Sequence, residues 1–507
     1  MSNNVQHESK QTTTSDPSDK ITYLLNLLGK KLPNQSSSAP PPPVTENDSD
    51  YEDIMTDEEQ DIYTFDTKQQ LIQSLYSSHA KFNPSLSPHD FNQDQDQLNI
   101  NNNDKNEKSS TILQQQQVEL LILETFKDHP QLQFLTGKHL KYLDLSLHSK
   151  LPAYFNALDA NHTWMMYWLI NAHKLINQST VEIDTDTIDL INDKVESCII
   201  KDGKYGISGG SNQIGHIAST FSGILTLVLT KNYPRLLEIR SHLYHWFISL
   251  KQSDGSFLMH INGESDSRSV YCVLAISALL NLHTDELTNH ILNWINKNQS
   301  YEGGYSNNAH NECHGGYSFC SMSIYYLLFT HKSQFKTDSK INLDNLIRWL
   351  VMRQFAIEGG LNGRTNKLVD SCYAYWIGAI YPMIEVLIDQ PIFNRDGLKT
   401  YLLKAGQNFD KGGFRDKPGK STDFYHTNYS LSGLSVCEYT YDLESDDTND
   451  DDDDELLAFK FKVANNDDND NDDDNEKFTN AIHPIFGIPI TDVNEIRQYF
   501  KNFPKPI

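Results

Sequence analysis

The 507-residue chain has only six cysteines, and their spacing shows no repeating pair pattern. A chain of this length can build a hydrophobic core without disulfides, so a disulfide-stabilised secreted domain is not indicated. The sequence also lacks a run of about 18 apolar residues and an N-terminal basic region followed by an apolar segment. We therefore expect a cytoplasmic protein with no signal peptide and no membrane span.

Basic charge is scarce as well, since 42 Lys and Arg face 68 Asp and Glu, for a net charge of −26. Residues 1–117 carry 18 acidic and 8 basic side chains, and residues 442–476 carry 17 and 2. The rest of the chain is close to neutral, at −1. The acidity therefore belongs to two segments, and it argues against non-specific binding of nucleic acid.

The same two segments are rich in Asn, Gln, Ser, Pro and Asp and cannot bury enough apolar surface to fold alone. We therefore predict a disordered tail over 1–117, a folded domain over 118–441, an acidic disordered insert over 442–476, and a C-terminal segment over 477–507 that completes the fold. Within the insert, 446–450 matches the DDxxD pattern of isoprenoid synthases. Chance matches are expected in a tract of Asp and Asn, so no role is assigned to it.

A weak repeat runs through the folded part: each of five glycines follows an acidic or basic residue, and an aromatic residue or leucine stands two positions after the glycine. Apolar segments at helical spacing lie between these glycines, as in 270–282 and 343–354, which indicates two helices per repeat. Helix hairpins of this kind form an open solenoid or an α-α barrel, and aromatic helix starts favour the barrel, with an apolar central cavity. The fold class is therefore predicted as all-α. The first glycines, spaced 52, 48, 56 and 53 residues apart, are Gly203, Gly255, Gly303, Gly359 and Gly412.

Three residues could bind one metal ion: Asp370, Cys372 and, about fifty residues later, His426. Residues two apart in a regular helix face different directions, so Asp370 and Cys372 can share a metal only at a helix start, with Asp370 as N-cap. Three ligands that include Cys and His suit zinc and leave one coordination position open. The alternative interpretation is an N-cap Asp, a buried Cys and a core His.

Several longer segments occur together and in order. With these segments the chain resembles the β subunits of protein farnesyltransferases over roughly residues 118–441. The segments are Asp254 to Met259, Arg268 to Cys272, His314 to Cys320, Glu358-Gly-Gly, Arg364 to Trp376, Asp416 to His426, Ser430 to Ser435 and, beyond the insert, His483-Pro484.

The resemblance implies a zinc enzyme that transfers farnesyl from farnesyl diphosphate to the cysteine of a C-terminal CaaX sequence in proteins such as small GTPases. It also implies an obligate heterodimer with a separate α subunit. Asp370, Cys372 and His426 match the family's zinc ligands, and Lys367 and Tyr373 match residues at the reacting centre. The residues that match contacts of the diphosphate and the farnesyl chain are His314, Arg364, Lys367, Tyr373, Lys420, Arg268, Tyr271, Tyr317, Cys320 and Trp376, with Tyr429 nearby.

The protein substrate has its own matching positions. The resemblance assigns the aliphatic positions and the last residue of the CaaX peptide to Trp164, Trp168, His216, Ala218, Tyr425, Asn161 and Met259. The chain departs from the common pattern at Asn161, Ser219 and Thr422, which we expect to alter the preference for the terminal residue or the peripheral charge.

Two positions bear on the prenyl donor. Asp416 matches an aspartate associated with Mg²⁺ on the diphosphate, and a carboxylate there would repel the diphosphate unless a hard cation lay between them. Taken alone, Asp416 is also a suitable turn residue before Lys417-Pro-Gly. Trp164 matches a tryptophan that closes the pocket against a fourth isoprene unit. Both favour farnesyl transfer over the alternatives, a geranylgeranyltransferase type I β subunit and a non-catalytic prenyl-binding scaffold.

Overall fold

The computed structural model describes residues 109–177, 183–444, 455–464 and 477–506. Over these ranges the chain is mostly helical, with two short antiparallel ladders, β1 (Phe414–Arg415) with β2 (Thr422–Asp423) and β3 (Tyr441–Leu443) with β4 (Phe461–Val463). In chain order the helices are α1 (Ser110–Asp128), α2 (Thr136–His148), α3 (His162–Leu175), α4 (Thr185–Glu196), α5 (Ile217–Leu229), α6 (Tyr233–Leu250), α7 (Ser267–Leu279), α8 (Asp285–Thr288), α9 (Ile291–Ile295), α10 (Gly315–Leu328), α11 (Gln334–Thr337), α12 (Leu343–Val351), α13 (Tyr373–Trp376), α14 (Ile380–Ile388), α15 (Arg395–Tyr401), α16 (Phe424–Glu438) and α17 (Ile490–Phe500).

An inner ring of helices closes on itself. Helices α3, α5, α7, α10, α13 and α16 each pack against the next, and α16 packs against α3. Outer helices α2, α4, α6, α9 and α15 pack against the inner ones from outside. The sequence explains this division, because every residue of α5 except Ala218 is buried, whereas α4 buries only Thr187, Ile191 and Val195. The predicted α-α barrel is confirmed.

The repeated glycines join an outer helix to the next inner one, as predicted. All five have positive φ values between 75° and 112°. Gly303 shows why no other residue suits the turn: its φ is +112°, and an added Cβ would lie 2.1 Å from the carbonyl oxygen of Asn345. The periodic signal in the sequence is therefore a backbone requirement of each helix hairpin.

Two predicted boundaries differ from the structure. Helix α1 begins at Ser110, inside the predicted tail, because Ser109 caps it and Ile122 and Leu123 bury its far end; residues 1–108 lie outside the described residues. Within the predicted insert, residues 455–464 form a 3₁₀ turn and strand β4 that pairs with β3. The described part of the insert is thus packed structure, and the DDxxD match at 446–450 lies outside the described residues.

The predicted helix segments are otherwise found close to their expected limits. The segment 270–282 falls on α7 (Ser267–Leu279), and 343–354 falls on α12 (Leu343–Val351). The six cysteines are buried and free of disulfides, as expected. No helix among the described residues is both long and apolar enough to cross a membrane.

Candidate metal centre and active site

Five of the six inner helices share one structural device at their starts: a side chain at or just before the helix accepts a hydrogen bond from a backbone N–H there. Asn161, before α3, makes no such bond. The starts of α3, α5, α7, α10 and α13 are also bonded to the loop before the next inner helix, for example Gly315 N–H to Gly363 O at 2.8 Å and Ser371 N–H to Asp416 O at 3.0 Å. The capped starts therefore lie at the same rim of the barrel. The capping atoms and the N–H groups they accept from are His216 Nδ1 with Ala218 at 3.2 Å, Asp266 Oδ1 with Arg268 at 2.8 Å, His314 Nδ1 with Gly316 at 3.0 Å, Asp370 Oδ1 with Cys372 at 2.8 Å, and Asp423 Oδ1 with His426 at 2.7 Å.

At this rim Asp370, Cys372 and His426 come together. Their candidate ligand atoms, one from each side chain, all lie within 4.8 Å of one another. His426 Nε2 lies 3.3 Å from Asp370 Oδ1. The structure therefore brings together the three residues that the sequence analysis singled out, near the starts of α13 and α16. The expected N-cap role of Asp370 is not found: the N-cap of α13 is Cys372, and Asp370 Oδ1 accepts from Cys372 N–H in the turn that precedes the helix.

Asp423 orients the imidazole of this cluster. Its Oδ2 lies 2.6 Å from His426 Nδ1, while its Oδ1 caps α16. The ring nitrogen Nδ1 can thus donate to a carboxylate, which leaves Nε2 facing Asp370 and Cys372 as a candidate ligand atom. Sequence analysis missed this role of Asp423. The signal was available, since an Asp three residues before a His at a helix start can both cap the helix and reach the ring.

Burial raises the free-energy cost of holding the charged forms of these groups together when no cation lies between them. It raises the pKa of the Cys372 thiol, and the neighbouring Asp370 carboxylate raises it further. Burial opposes the charged form of His426 too, yet hydrogen bonds to Asp370 and Asp423 raise the pKa of its imidazole well above the ordinary value. Two anionic donors in a buried site favour a positive charge between them. A divalent metal ion fits this donor set.

Asp416 lies beside the cluster and has one atom without a partner. Its side chain pairs with Lys417, and its buried Oδ1 has no hydrogen-bond partner. Burial and the nearby Asp370 raise the pKa of Asp416 to about 6, against the opposing effect of Lys417. An orphaned buried carboxylate oxygen is a suitable ligand for a hard cation such as Mg²⁺.

His314 and Tyr373 form a polar pair across neighbouring inner helices. Tyr373 Oη lies 2.9 Å from His314 Nε2. Because His314 Nδ1 accepts from Gly316 N–H, the neutral ring carries its proton on Nε2 and donates it to Tyr373. Burial and the positive charge of Arg364 lower the pKa of His314 to about 4, so the ring is neutral. The Tyr373 hydroxyl proton can therefore be donated to an anion at the rim.

Cations surround this pair. Arg364 forms an ion pair with Glu312 at 2.9 Å. Arg268 binds Asp266 at 2.6 Å and lies over the Tyr317 ring at 5.6 Å. Lys367 and Lys420 are exposed on the loops before Asp370 and before β2. The predicted cations therefore occupy the rim, and a diphosphate there would meet positive charge from several directions.

Below the rim the inner helices line the ring with aromatic side chains. Trp376 Nε1 donates to Tyr425 Oη at 3.0 Å, and the Trp376 ring lies 4.5 Å from that of Tyr429. The rings of Tyr271 and Trp376 both contact Phe319, at 5.3 Å and 5.4 Å. Phe319 was not singled out from the sequence, because a single aromatic residue in a helix is typical of any core. Cys320 is buried next to it.

The residues predicted to contact a peptide fall into two groups. Trp164, Trp168 and Tyr425 form a continuous row, with ring separations of 5.8 Å and 5.4 Å. The second group lies around the start of α5.

In that second group, Ile217 N–H donates to Met259 O at 2.8 Å, which brings Met259 beside His216 and Ala218. Asn161 precedes α3 without a capping bond from its side chain. His260, which sequence analysis did not single out, lies 5.7 Å from the His216 ring. The structure thus groups these residues as predicted; the peptide contacts themselves stay a prediction.

The fold and site together define a closed α-α barrel with a candidate metal centre, cationic groups and an aromatic lining at one end. A family model described as the prenyltransferase alpha-alpha toroid domain matches residues 134–488. Protein farnesyltransferase subunit beta of Pyricularia oryzae is 35% identical, over 72% of this chain and 73% of its own length. The Schizosaccharomyces pombe protein of the same name is 36% identical, over 78% and 97%. The chain therefore belongs to the protein farnesyltransferase β-subunit family of prenyltransferases.

A solved structure agrees at the level of the fold. The protein geranylgeranyltransferase-I of Candida albicans, complexed with GGPP, superimposes with a TM-score of 0.56. It covers 73% of this chain and 99% of its own, at 21% sequence identity. The likeness supports the barrel, and the choice of prenyl donor depends on other observations.

Proposed function

We propose that this chain is the catalytic subunit of a zinc-dependent protein farnesyltransferase, which moves farnesyl from its diphosphate to the cysteine of a C-terminal CaaX sequence. The observation that carries the proposal is the convergence of Asp370, Cys372 and His426 beside the His314–Tyr373 pair at one rim. A thiol-binding metal site and an anion-binding site therefore adjoin each other, which suits the attack of a sulfur on a prenyl diphosphate.

The donor set fits zinc. Sulfur, imidazole nitrogen and carboxylate oxygen are the ligands zinc takes, and three protein ligands leave a position for a substrate. Bound zinc would lower the pKa of the substrate thiol and so keep it nucleophilic at neutral pH. The chain's own contribution is to orient His426 through Asp423 and to hold Asp370 and Cys372 at a capped helix start.

The leaving diphosphate gains charge as the C–O bond breaks. Tyr373 donates its hydroxyl proton to this charge, since its oxygen already accepts from His314. Arg268, Arg364 and the exposed lysines of the rim supply positive charge. Fixed donors of this kind act where charge develops and need little reorganisation. The orphaned oxygen of Asp416 fits Mg²⁺ on the same diphosphate.

Farnesyl is favoured over geranylgeranyl by two residues. Trp164 lies among Tyr167, Trp168 and Phe221 on the wall of the ring, where its bulk limits the length of a prenyl chain. Asp416 is the second, through its fit to Mg²⁺. Both relatives reported above are named for farnesyl transfer. The names of the relatives also support assembly with a separate α subunit.

The experiment is a transfer assay on the chain co-purified with its α subunit, zinc and magnesium. CaaX peptides ending in Met or Leu compete for farnesyl and geranylgeranyl diphosphate, and mass spectrometry reads the product. Bound zinc is measured on the same samples. The decisive variant is Cys372→Ala, and the matched control is Cys437→Ala, a buried cysteine at the far end of α16.

We expect a farnesyl mass on the peptide cysteine for the wild type and the Cys437→Ala control, and loss of both zinc and transfer for Cys372→Ala. A geranylgeranyl mass in its place would overturn the assignment of the donor. Zinc bound without transfer of either group would favour a non-catalytic prenyl-binding scaffold.

A further inference from the structure

A single loop, here called the floor loop (residues 482–489), packs against side chains of the inner helices. All eight of its residues are buried, and Ile482 pairs with Pro489 across it. His483 N–H donates to Ile488 O at 2.8 Å, and Gly487 N–H donates to His483 O at 3.0 Å. The floor loop is therefore a compact, buried turn.

Three tyrosines of the inner helices contact this loop. Their hydroxyls donate to consecutive parts of its backbone, and Tyr271 and Tyr375 also line the aromatic interior. Gly487 permits the close approach, because its φ is +71° and an added Cβ would lie 2.7 Å from Tyr375 Oη. The bonds are Tyr167 Oη to Gly487 O at 2.8 Å, Tyr271 Oη to Ile485 O at 2.7 Å, and Tyr375 Oη to Pro484 O at 3.3 Å.

Trp164, the residue that we propose limits the length of the prenyl chain, depends on the same loop for its position. Trp164 meets Tyr167 edge-on, with ring centroids 5.9 Å apart. Tyr167 is in turn fixed by its bond to Gly487 O. A shift of the floor loop would therefore release Tyr167 and with it the support of Trp164.

A second segment, here called the strap (residues 455–464), braces the floor loop on its other side. Phe459 stacks on Phe486 of the floor loop at 5.5 Å, and Phe461 meets His483 at 5.8 Å. The strap is itself anchored, because Leu457 N–H donates to Phe329 O at 2.7 Å. Two of its apolar residues are buried, since Leu457 is 1% exposed and Phe461 is 3% exposed.

His483 is the polar link between the two segments. Its Nδ1 accepts from Ile485 N–H at 3.2 Å, so the proton lies on Nε2, which donates to Ala458 O at 3.0 Å. The ring is only 1% exposed. Both ring nitrogens are thus used, one within the floor loop and one toward the strap.

From these contacts we propose that the strap is a positioning element for donor specificity: it holds the floor loop against the three tyrosines and so sets the longest prenyl chain that the cavity admits. The inference rests on the proposed function and extends it to residues inside an otherwise low-complexity acidic segment. Phe459, Phe461 and His483 touch no substrate in this account. They act through Phe486 and the backbone of the floor loop.

The test measures kcat/KM for farnesyl and geranylgeranyl diphosphate with the complete heterodimer, together with binding of each diphosphate by calorimetry. Phe459→Ala removes the half-buried ring that stacks on Phe486, and His483→Phe keeps a ring but removes both bonds. Phe459→Tyr retains the stack. Tyr381→Phe is the matched control for lost stability, since it removes one buried bond, to Leu350 O at 3.1 Å, toward the outer helix α12.

We expect Phe459→Ala and His483→Phe to raise the use of geranylgeranyl relative to farnesyl about five- to tenfold, the effect of losing a contact that excludes one more apolar group. Phe459→Tyr and Tyr381→Phe keep the wild-type ratio. An unchanged ratio in both Phe459→Ala and His483→Phe, with unfolding temperatures lowered as in Tyr381→Phe, would leave the strap a purely structural role and overturn the proposal.

The two hypotheses fail in different ways. If the wild type transfers neither group but the variants shift the ratio of the two binding constants, the proposed activity is wrong and the role of the strap stands. If the wild type transfers farnesyl and the ratios do not move, only the role of the strap is wrong. Failure of the wild type to bind either diphosphate overturns both.

Discussion

At the scale of single residues, Asp423 is placed to control the metal centre without being a ligand. One carboxylate oxygen caps α16 and the other holds His426 Nδ1 at 2.6 Å. Asn retains the capping oxygen but not the charge, so Asp423→Asn isolates the effect on the imidazole. We expect zinc affinity to fall by roughly 10- to 100-fold, as found for partners of metal-bound histidines.

Competition with a zinc chelator measures this affinity. The control is Asp184→Asn, since Asp184 likewise caps a helix, accepting from Thr187 N–H at 2.9 Å, but does so on outer helix α4. The control should keep wild-type zinc affinity. Equal affinities in Asp423→Asn and the wild type would show that His426 is held by other contacts.

We expect the free energy of unfolding to depend on pH through ionisation of the Glu358 carboxyl group. Burial, with a contribution from the nearby Glu119, raises the pKa of Glu358 to about 8. Its Oε1 accepts from Gln115 at 2.9 Å, and its Oε2 has no partner. Between the ordinary pKa and pH 8 the folded state holds a proton that the unfolded state has lost, so stability falls as pH rises through this window.

Glu358→Gln should remove this dependence because the amide stays neutral. Relative to the variant, the wild-type unfolding temperature should fall by a few degrees between pH 5.5 and pH 8.5, where about 1 kcal/mol corresponds to roughly 2–4 °C. The exposed Glu238→Gln serves as control and should follow the wild type. Parallel curves for the wild type and Glu358→Gln would mean that Glu358 ionises in the folded state without cost.

At the scale of elements, the glycine turns that join outer to inner helices are the most restrictive sites. Gly303 has no room for a Cβ and has positive φ, whereas Gly137 in α2 has nothing within 4 Å of an added Cβ. Gly303→Ala should therefore destabilise the protein by more than about 1 kcal/mol. Gly137→Ala should stabilise it by up to about 1 kcal/mol, through helix propensity.

Chemical unfolding of the two variants under the same conditions gives the comparison. Opposite signs are the expected result, since the two glycines differ in conformation and space while the added methyl group is the same. Two changes of the same sign would contradict the assignment of the repeat glycines to obligatory turns.

At the scale of the whole molecule, α1 connects the N-terminal region to the barrel. Gln115 donates to Glu358 at 2.9 Å and accepts from Val369 N–H at 3.2 Å, next to the candidate ligand Asp370. Removing residues 1–108 should therefore leave the unfolding temperature and bound zinc unchanged. Removing residues 1–128 should lower both, since Ile122 and Leu123 also lose their buried positions.

The pair of truncations is compared by calorimetry and by zinc content. The shorter truncation is the control for removal of acidic charge, because residues 1–117 carry a charge of −10 and most of it precedes α1. Loss of stability in the shorter truncation would show that residues before Ser109 support the barrel.

Much of the site could be predicted because its geometry is local. Asp370 reaches the N–H of Cys372, two residues on, and Asp423 reaches that of His426, three residues on. Spacing along the chain is enough to indicate such contacts. The turns that need positive φ can likewise be recognised, because glycine recurs in the sequence at each of them. The fold class, the three candidate metal ligands and the helix starts were therefore accessible from the order of residues.

The contacts of the floor loop could not be predicted from the sequence in this way. Tyr167 meets Gly487 across 320 residues, and His483 meets Ala458 across 25 that include a tract of Asp and Asn. Contacts of this kind depend on how the closed ring brings distant segments together. Seven of the ten residues of 455–464 are apolar, but this short segment lies inside a tract of Asp and Asn, and nothing in its own sequence indicates which part of the chain it packs against. Capping bonds and turns are determined by residues that are close together in the sequence. The depth of the cavity depends instead on closure of the barrel, which brings distant residues together.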